Sequence, residues 1–172
     1  MRRIRYCVAM SLDGYIAGPH DEADWISMDP DMNFAELWSQ FDTLLMGRRT
    51  YEAAIARLGP SALRGNSVVV ASSTLRHEDH PDITIIPDLN RQQLETLRSQ
   101  GHKDIWMMGG GELFRYLLAL HQVDTVEVSV VPILLGGGIP LLPLLEKRTN
   151  LKLAEHKVYR SGVVSLTYEV ML

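Results

Sequence analysis

A buried strand runs directly into a helix within the nine residues Leu44-Leu45-Met46-Gly47-Arg48-Arg49-Thr50-Tyr51-Glu52. The apolar run ends at Gly47, and the helix is predicted to begin near Thr50. The first turn of a helix carries unpaired N–H groups and the positive end of the helix dipole, and two guanidinium groups adjoin it here. The junction therefore predicts a phosphate-binding site. The alternative is that Thr50 caps the helix and both arginines are solvated.

A second junction of the same kind contains three consecutive glycines. It reads Trp106-Met107-Met108-Gly109-Gly110-Gly111-Glu112-Leu113-Phe114, with an apolar strand before the glycines and an apolar-periodic helix after them. Because glycine lacks a Cβ, backbone N–H groups at this turn can approach a pyrophosphate closely. The stretch departs from the Rossmann fingerprint at Phe114 and lacks the acidic residue expected about 20 positions later. A plain turn is the alternative.

A third predicted strand ends in three hydroxyl groups, in Val68-Val69-Val70-Ala71-Ser72-Ser73-Thr74-Leu75-Arg76. Hydroxyl donors followed by a guanidinium suit a phosphomonoester such as the 2′-phosphate of NADP, although an ordinary polar loop would have the same composition. All three stretches lie at the C-terminal ends of strands, where open α/β sheets bind ligands. Together they predict a site for a phosphorylated dinucleotide.

Short apolar runs alternate with helix-period segments over the first two thirds of the chain, which is typical of a sheet covered by crossover helices. The predicted strands are residues 4–10, 43–46, 67–71, 83–86 and 104–108, and the predicted helices are residues 32–41, 50–58, 91–100 and 112–120. The last third is mostly strand, at 125–131, 151–159 and 163–170, with a Ser161-Gly162 turn that predicts an antiparallel hairpin. We expect one α/β domain with a mixed sheet over residues 1–172.

The composition excludes several classes of protein. The chain has 172 residues, 46% hydrophobic and 22% charged, with a net charge of −4, as in an ordinary globular domain. The lone Cys7 excludes a disulfide scaffold and favours a cytoplasmic location, and the acidic balance argues against a nucleic-acid partner. No stretch has the form of a signal peptide or a membrane span. His77-Glu78-Asp79-His80 lacks the spacing of a metal site, so no metal is expected.

The segment after the first strand could cover a flat ring. It turns at Asp13-Gly14 and then resumes an apolar pair at Tyr15 and Ile16. Downstream, Trp25 and the carboxylates of Asp29 and Asp31 could hold a polar heterocycle. Alternatively, Asp29 or Asp31 caps the following helix and Trp25 belongs to the core.

Five motifs, taken in this order, resemble the dihydrofolate reductase superfamily. They are Ser11-Leu12-Asp13-Gly14-Tyr15-Ile16-Ala17, Met46-Gly47-Arg48-Arg49-Thr50-Tyr51-Glu52, the strand end at 69–73, Met108-Gly109-Gly110-Gly111-Glu112-Leu113 and Leu135-Gly136-Gly137-Gly138-Ile139-Pro140-Leu141. Within the superfamily they are most similar to the branch related to the reductase domain of the bifunctional riboflavin-biosynthesis deaminase-reductase. The resemblance implies a three-layer α/β/α sandwich around a mixed, mostly parallel eight-stranded sheet whose last strand is antiparallel. It also implies NADPH bound across the strand ends.

The resemblance further implies roles for individual residues. Ala9 and Ile16 would border the nicotinamide ring, and Ser72 and Ser73 would bind the 2′-phosphate end of the cofactor. The phosphate-binding residues would be Gly47, Arg48, Arg49 and Thr50 on the adenosine side, and Met108, Gly109, Gly110, Gly111, Glu112 and Leu113 around the pyrophosphate. The Gly109-Gly110 peptide bond is expected to be cis.

Substrate contacts are expected at Asp13, Trp25 and Asp31, and either aspartate could donate a proton. Folate reductases hold the pterin with a carboxylate on the helix before the Met-Gly-Arg strand, and Asp31 lies at the corresponding position before Met46. The expected activity is an NADPH-dependent reduction of a C=N or C=O bond in a small heterocyclic substrate, most like 5-amino-6-(5-phosphoribosylamino)uracil reductase. A dihydrofolate reductase and a non-catalytic NADP(H)-binding relative are the alternatives. The resemblance also suggests a homodimer, and no membrane partner is expected.

Overall fold

The computed structural model describes residues 1–26, 29–145 and 147–171, so Leu172, the last residue of the predicted domain, lies outside the described residues. The strands are β1 (Ile4–Ser11), β2 (Tyr15–Ala17), β3 (Phe41–Gly47), β4 (Ser67–Ala71), β5 (Thr84–Ile86), β6 (Asp104–Gly109), β7 (Thr125–Val131), β8 (Ile139–Pro140), β9 (Leu151–Val158) and β10 (Val164–Val170). The helices are α1 (Phe34–Ser39), α2 (Arg48–Leu58), α3 (Arg91–Ser99) and α4 (Gly111–Ala119), with a 3₁₀ turn at Pro60–Leu63. No helix in the described part of the chain is long and apolar enough to cross a membrane.

Eight strands form one sheet in the order β5-β4-β3-β6-β1-β7-β10-β9. β10 runs antiparallel to both of its neighbours, and the other neighbouring pairs are parallel. Parallel pairing follows from the crossover segments, which carry the chain back to the starting edge before the next strand begins. The structure confirms the predicted mixed, mostly parallel sheet with an antiparallel last strand.

Apolar side chains fill both faces of the sheet. Successive residues of a strand point to opposite faces, so Leu44 and Met46 of β3 join one cluster and Leu45 joins the other. Trp38 of α1 and Tyr51 of α2 pack into the first cluster, on what we call the α1/α2 face. α3 and α4 supply leucine and phenylalanine side chains to the second, on the α3/α4 face. The layers are those of the predicted α/β/α sandwich.

The helix boundaries differ from the predicted ones where capping decides them. α1 is shorter than predicted because the Asn33 side chain caps it and Phe41 already begins β3. α2 begins at Arg48, two residues earlier than predicted, directly after Gly47. Apolar periodicity locates a helix face but does not locate its first residue.

Two strands that the sequence did not reveal, β2 and β8, pair in a separate small sheet. They are too short to show an alternating pattern. The residues next to these strands are also joined, by backbone hydrogen bonds from Leu12 N to Ile133 O and from Leu141 N to Gly14 O, each 2.9 Å long. The loop after β1 is thus fixed to the glycine loop at 135–141.

β9 and β10 form the predicted antiparallel hairpin, and β9 is the exposed edge strand of the sheet. Thr167 pairs with Glu155, but the next residue, Tyr168, pairs with Leu153. Ala154 is therefore the extra residue of a β-bulge. Since a bulge interrupts the alternation, odd-numbered residues of β9 on its two sides point to opposite faces of the sheet.

Candidate functional site

The helices differ in how their first turns are capped. α1 and α3 follow Asn33 and Asn90, whose side chains accept hydrogen bonds from first-turn N–H groups. α2 and α4 follow Gly47 and Gly110, and no side chain in the described residues caps either helix. The N–H groups of these two glycine-started helices are available to an anionic ligand.

The first turn of α2 combines two cations with the positive end of a helix dipole. Arg48 and Arg49 occupy that turn, which contains no acidic residue. A cation at a helix N-terminus is disfavoured by about 0.3–1 kcal/mol at an exposed position. A bound anion would reverse this effect, because the dipole and the guanidinium groups would then both stabilise the ligand.

The two glycine-started turns lie side by side because β3 and β6 are neighbours in the sheet. Met46 of β3 pairs with Gly109 of β6. A Cβ added to Gly109 or Gly110 would lie 3.6 or 3.5 Å from Thr50 Oγ1. The Gly109-Gly110 peptide bond is cis, as the resemblance implied. Two positive helix ends therefore meet at one place on the strand-end edge.

A groove of about 570 Å³ opens beside these turns. Six of the predicted cofactor residues line it, namely Gly47, Arg48, Ser72, Ser73, Glu112 and Leu113. Further lining residues, which the sequence analysis did not assign to the cofactor, include Thr74, Asp88, Arg115 and Tyr116. Arg115 lies one helical turn after Glu112 and is held by it at 2.9 Å. Guanidinium groups from two helices thus face one groove, which suits a ligand with several phosphate oxygens.

The hydroxyl groups after β4 have distinct contacts. Ser72 is buried, and its Oγ accepts hydrogen bonds from Thr74 N at 3.2 Å and Leu75 N at 3.1 Å. Thr74 Oγ1 accepts a 2.7 Å hydrogen bond from Arg48 Nη1. Ser72 therefore shapes the turn, Thr74 orients Arg48, and Ser73 remains exposed at the groove.

The adjacent arginines of α2 point to different partners. Arg48 lines the groove and its Nε lies 3.1 Å from Glu52 Oε1, whereas Arg49 Nη2 lies 3.2 Å from both carboxylate oxygens of Asp21. Arg49 thereby ties the segment around Asp21 to the start of α2. In this arrangement Arg48, and not Arg49, is placed to bind a phosphate in the groove.

Asp13 fixes the loop after β1 to the glycine loop. Its carboxylate accepts hydrogen bonds from Ser11 Oγ at 2.6 Å, Leu135 N at 3.1 Å and Gly136 N at 2.7 Å. The hydrogen bond from Ser11, together with those from the two backbone groups, lowers the pKa of Asp13 below its ordinary value of 3.8. These contacts give Asp13 a structural role in joining the two loops, and its role as a proton donor stays a prediction.

The acidic residues before α1 meet the β9–β10 turn. Asp29 is buried and accepts hydrogen bonds from Asp31 N at 2.7 Å and Ser161 N at 2.9 Å. Hydrogen bonding from Ser161 lowers the pKa of Asp29 below its ordinary value. Asp31 is exposed, with an oxygen 3.5 Å from Arg160 Nε. Trp25 is half-buried and donates its indole N–H to Glu22 O.

The predicted nicotinamide contacts lie on β1 and β2. Ala9 is half-buried near the end of β1, in register with Ser129 of β7, and Ile16 is half-buried in β2. Ala9 and Cys7 are two residues apart in β1, so their side chains point to the same face of the sheet. Cys7 belongs to the cluster on the α1/α2 face, and Ala9 therefore lies on that face as well.

A buried charged pair next to this floor was missed by the sequence analysis. The carboxylate of Glu127 accepts hydrogen bonds from Arg5 Nε at 2.6 Å and Arg5 Nη2 at 2.7 Å. Burial alone would raise the pKa of Glu127, but hydrogen bonds from Arg5 and Thr125 outweigh burial, and the pKa lies below its ordinary value of 4.5. The partners are far apart in the chain and meet through the β1–β7 register, which local patterns do not reveal.

Among the described residues, no group of His, Cys, Asp and Glu side chains could hold a metal ion.

Two relatives from Bacillus subtilis match nearly the whole chain, and both carry the description "uncharacterized protein". YyaP is 33% identical over 178 residues, which cover 97% of this chain and 94% of YyaP. YwjB is 29% identical over 161 residues, which cover 91% of each chain.

Three solved structures of similar fold illustrate the likeness. A protein of Shewanella sp. PV-4, provisionally described as a riboflavin biosynthesis protein, superposes with a TM-score of 0.85 at 26% identity, covering 100% of both chains. A pyrimidine reductase-like protein of Corynebacterium diphtheriae has a TM-score of 0.68 at 16% identity, covering 99% of this chain and 92% of that one. Dihydrofolate reductase of Enterococcus faecalis, complexed with NADP(H), has a TM-score of 0.66 at 15% identity, covering 98% and 96%.

At the lower identities the likeness shows a shared fold, and the sheet order and layers described above are consistent with it. The RibD C-terminal domain family matches residues 2–165, nearly the full length. This protein therefore shares its fold with dihydrofolate reductase and belongs to the RibD C-terminal domain family, as its motifs predicted.

Proposed function

We propose that the protein is an NADPH-dependent reductase of a small heterocyclic substrate. The observation that carries the proposal is the pair of glycine-started helices, α2 and α4, which are uncapped within the described residues and begin at adjacent strand ends. Their N-termini would bind the pyrophosphate, because each offers unpaired N–H groups and a positive dipole end. The relatives' reductase-type fold supports the same assignment.

Preference for NADPH over NADH would depend on the cations of the groove. Arg48, oriented by Thr74, lies beside the exposed hydroxyl of Ser73, and Arg115 faces the same groove. These groups are the ones expected to bind a phosphomonoester. Asp88 also lines the groove, and its carboxylate would repel a phosphate, so we place the 2′-phosphate on the Arg48 side.

The bound nicotinamide would supply a hydride to the carbon of a C=N or C=O bond, and a proton would be added to the nitrogen or oxygen. The chain's own contribution is to position the reacting groups above Ala9 and to limit access of water. Of the two predicted proton donors we favour Asp31, because Asp13 is tied to the glycine loop whereas Asp31 is exposed. Loss of turnover in Asp31→Asn without loss of NADPH affinity would support that role.

A pyrimidine substrate of the kind used in riboflavin biosynthesis is favoured over dihydrofolate by the relative with the highest TM-score given above. Competition by a folate antagonist distinguishes the two. A protein that binds NADPH but oxidises it with neither class of substrate would be the non-catalytic relative.

The direct test is to replace Gly47, the residue before α2, by an aspartate whose side chain would cap the helix. Gly47 has φ −81° and ψ 166°, a backbone conformation that an N-capping aspartate adopts, and an added Cβ would meet none of the described atoms within 4 Å. We expect Gly47→Asp to keep or raise the melting temperature, because it caps the helix. It should weaken NADPH binding by about tenfold or more, because its carboxylate occupies the N–H groups and repels phosphate.

The matched control is Asn90→Asp, which places the same side chain at the N-cap of α3. This variant should bind NADPH as the unaltered protein does, in a fluorescence titration at constant ionic strength. Equal NADPH affinity in Gly47→Asp and Asn90→Asp would contradict the assignment of α2 to phosphate binding.

A further inference from the structure

A second cavity lies further along α2, next to the segment that connects β4 to β5. Its volume is about 440 Å³, which is within the range of small-molecule sites. Tyr51, Glu52, Ile55 and Ala56 of α2 form one wall, and residues 79–83 form the other. Among the described residues, it shares no lining residue with the groove beside the glycine-started turns. We call it the α2 cavity.

Buried groups hold the two walls of the α2 cavity in place. Tyr51 and Ile83 belong to the apolar cluster on the α1/α2 face, and both are buried. The phenol oxygen of Tyr51 lies 3.2 Å from His80 Nδ1, and the two rings meet edge to face. Ile83 N also donates a 3.4 Å hydrogen bond to His80 O within the second wall. The cavity is therefore preformed, so a ligand need not order its walls.

Most of the surface of the α2 cavity is apolar. The apolar side chains that line it are those of Ile55, Ala56, Pro81 and Ile83. The phenol of Tyr51 adds a neutral polar group, because burial and the negative charge of Asp82 raise the pKa of Tyr51 above its ordinary value of 10.0. An occupant therefore needs an apolar body.

The charges at the α2 cavity are all of one sign. Glu52, Asp79 and Asp82 line it with exposed carboxylates, and no lysine or arginine is among its described lining residues. The ion pairs within the described ranges include Glu52 but neither Asp79 nor Asp82. The groove, in contrast, is lined by Arg48 and Arg115. Charge complementarity thus favours a cation in the α2 cavity and an anion in the groove.

Glu52 connects the α2 cavity to the groove. Its Oε1 lies 3.1 Å from Nε of Arg48, whose Nη1 donates to Thr74 Oγ1 at 2.7 Å. Glu52 lines the cavity and Arg48 lines the groove, so one ion pair joins the two places. A cation bound in the cavity shares the negative charge of Glu52 and leaves Arg48 freer to bind a phosphate. The coupling is reciprocal, because each ligand must change the affinity for the other by the same factor.

We propose that the α2 cavity binds a small organic cation, with an amine, amidinium or guanidinium group on an apolar body, and that this binding strengthens cofactor binding through Glu52 and Arg48. The coupling rests on the proposed function, which assigns NADPH to the groove, whereas the binding of the cation does not. The apolar body contacts Ile55 and Ile83, and the cationic group faces the carboxylates. The cation is thus a positive effector of the cofactor site.

The first test is a calorimetric titration of the nucleotide-free protein with benzamidine and with benzamide. The two compounds have the same ring and nearly the same shape, but only benzamidine is cationic at neutral pH. We expect benzamidine to bind about tenfold or more tightly, because its amidinium group forms charge-assisted contacts with the carboxylates. Equal binding of the two compounds, or no binding of either, would overturn the inference.

Two variants of the segment between β4 and β5 test where the cation binds. Asp82→Asn should weaken benzamidine binding about fivefold or more and leave benzamide binding unchanged. The matched control is Glu78→Gln, which removes one charge from an exposed residue of the same segment that is not among those lining the cavity. It should bind benzamidine as the unaltered protein does. Similar losses in both variants would show a response to net charge alone and would overturn the site.

The second test measures NADPH affinity by fluorescence titration with and without saturating benzamidine, at constant ionic strength. Arg48 and Glu52 have side chains 47% and 50% exposed, so we expect benzamidine to tighten NADPH binding about two- to fivefold, the scale of an exposed ion pair. Glu52→Gln should remove this response. An NADPH affinity that benzamidine does not change would overturn the coupling. Failure of the unaltered protein to bind NADPH would instead refute the proposed function, and the nucleotide-free titration would still decide whether the cavity binds a cation.

Discussion

The strand-end edge of the sheet has two halves that are built differently. The half to which we assign the cofactor, called the cofactor half, lies at the ends of β3, β4 and β6 and consists of parallel strands whose following turns supply glycines, hydroxyls and arginines. The half to which we assign the substrate, called the substrate half, lies at the ends of β1, β7 and β9 and the start of β10, and it includes an antiparallel strand and a hairpin. Each feature of the cofactor half lies within a few consecutive residues. The features of the substrate half exist only through pairing between strands.

This difference separates two kinds of contribution to binding. Backbone N–H groups at helix starts bind phosphates common to many nucleotides, so the cofactor half needs little side-chain variety. Side chains on a pleated surface are set by the register, so the substrate half can change its chemistry one residue at a time. We expect variants in the two halves to have separable effects.

The largest effect is expected from Arg5→Ala on the substrate side. Arg5 and Glu127 have side chains only 8% and 15% exposed, so removing the guanidinium leaves a carboxylate buried without its partner. Breaking such a pair costs about 3–5 kcal/mol in the free energy of unfolding, measured by urea denaturation. Arg3→Ala, which removes a 55% exposed side chain from Asp104, should cost at most about 1 kcal/mol.

The NADPH affinity of the Arg5→Ala protein, measured under conditions where the protein is folded, tests whether the two halves of the edge are independent. Affinity should be unchanged, since Arg5 lies outside the groove. A large loss of affinity would show that the two halves are energetically coupled.

The next effect separates the adjacent arginines of the cofactor half. Arg48→Ala should weaken NADPH binding about 10- to 100-fold, since hydrogen bonds to charged groups contribute about 1.5–3 kcal/mol. Arg49→Ala should change it by less than about threefold, because Arg49 pairs with Asp21 and is not among the residues that line the groove, whereas Arg48 lines it beside its own partner Glu52. Parallel fluorescence titrations provide the measurement, and similar losses in both variants would contradict the assignment of Arg48 alone to the groove.

A smaller, pH-dependent effect is expected from Asp13→Asn. The pKa of Asp13 is lower in the folded than in the unfolded protein, so its contribution to stability is present above the ordinary value of 3.8 and is lost as the pH falls through the folded-state pKa. The variant should melt at a lower temperature than the unaltered protein at pH 7, and the gap should narrow below about pH 4. A gap that widens in acid would be inconsistent with this role.

The smallest effect on stability is expected from Asp31→Asn. Asp31 and Arg160 are 54% and 93% exposed and 3.5 Å apart, so the pair should contribute less than about 0.5 kcal/mol. Urea denaturation should give nearly the same midpoint for both proteins. A clear loss of stability would show that this carboxylate helps to hold the hairpin turn against the segment before α1.

The cofactor half could be predicted largely from sequence because its signals are local. The turns at Gly47 and Gly109 lie where the strand-to-helix transitions placed them, and the sheet brings them together. The different partners of Arg48 and Arg49 could not be predicted, since both occupy one helical turn and the choice depends on Asp21. The contact of Asp13 with the backbone of the glycine loop could not be predicted either, because Asp13 and Gly136 meet only in the folded chain.

The substrate half was less predictable for a topological reason. The strands themselves were located from their apolar patterns, and the last hairpin was predicted. The contact between Ser129 and Ser165 depends on which residues of β7 and β10 are opposite one another, and the sequence does not specify that register. Glu127 likewise shows its partner only after β1 and β7 are paired.

The extra residue Ala154 changes which face of the sheet the side chains of β9 occupy. Leu151 and Leu153 would share a side with Lys157 in an uninterrupted strand, because all three numbers are odd. With the bulge, the two leucines lie on the α3/α4 face of the sheet and Lys157 lies on the α1/α2 face. If β9 kept its length but paired regularly with β10, one of the two sets would shift by one residue and turn to the other face, so the position of the bulge decides which face each set occupies.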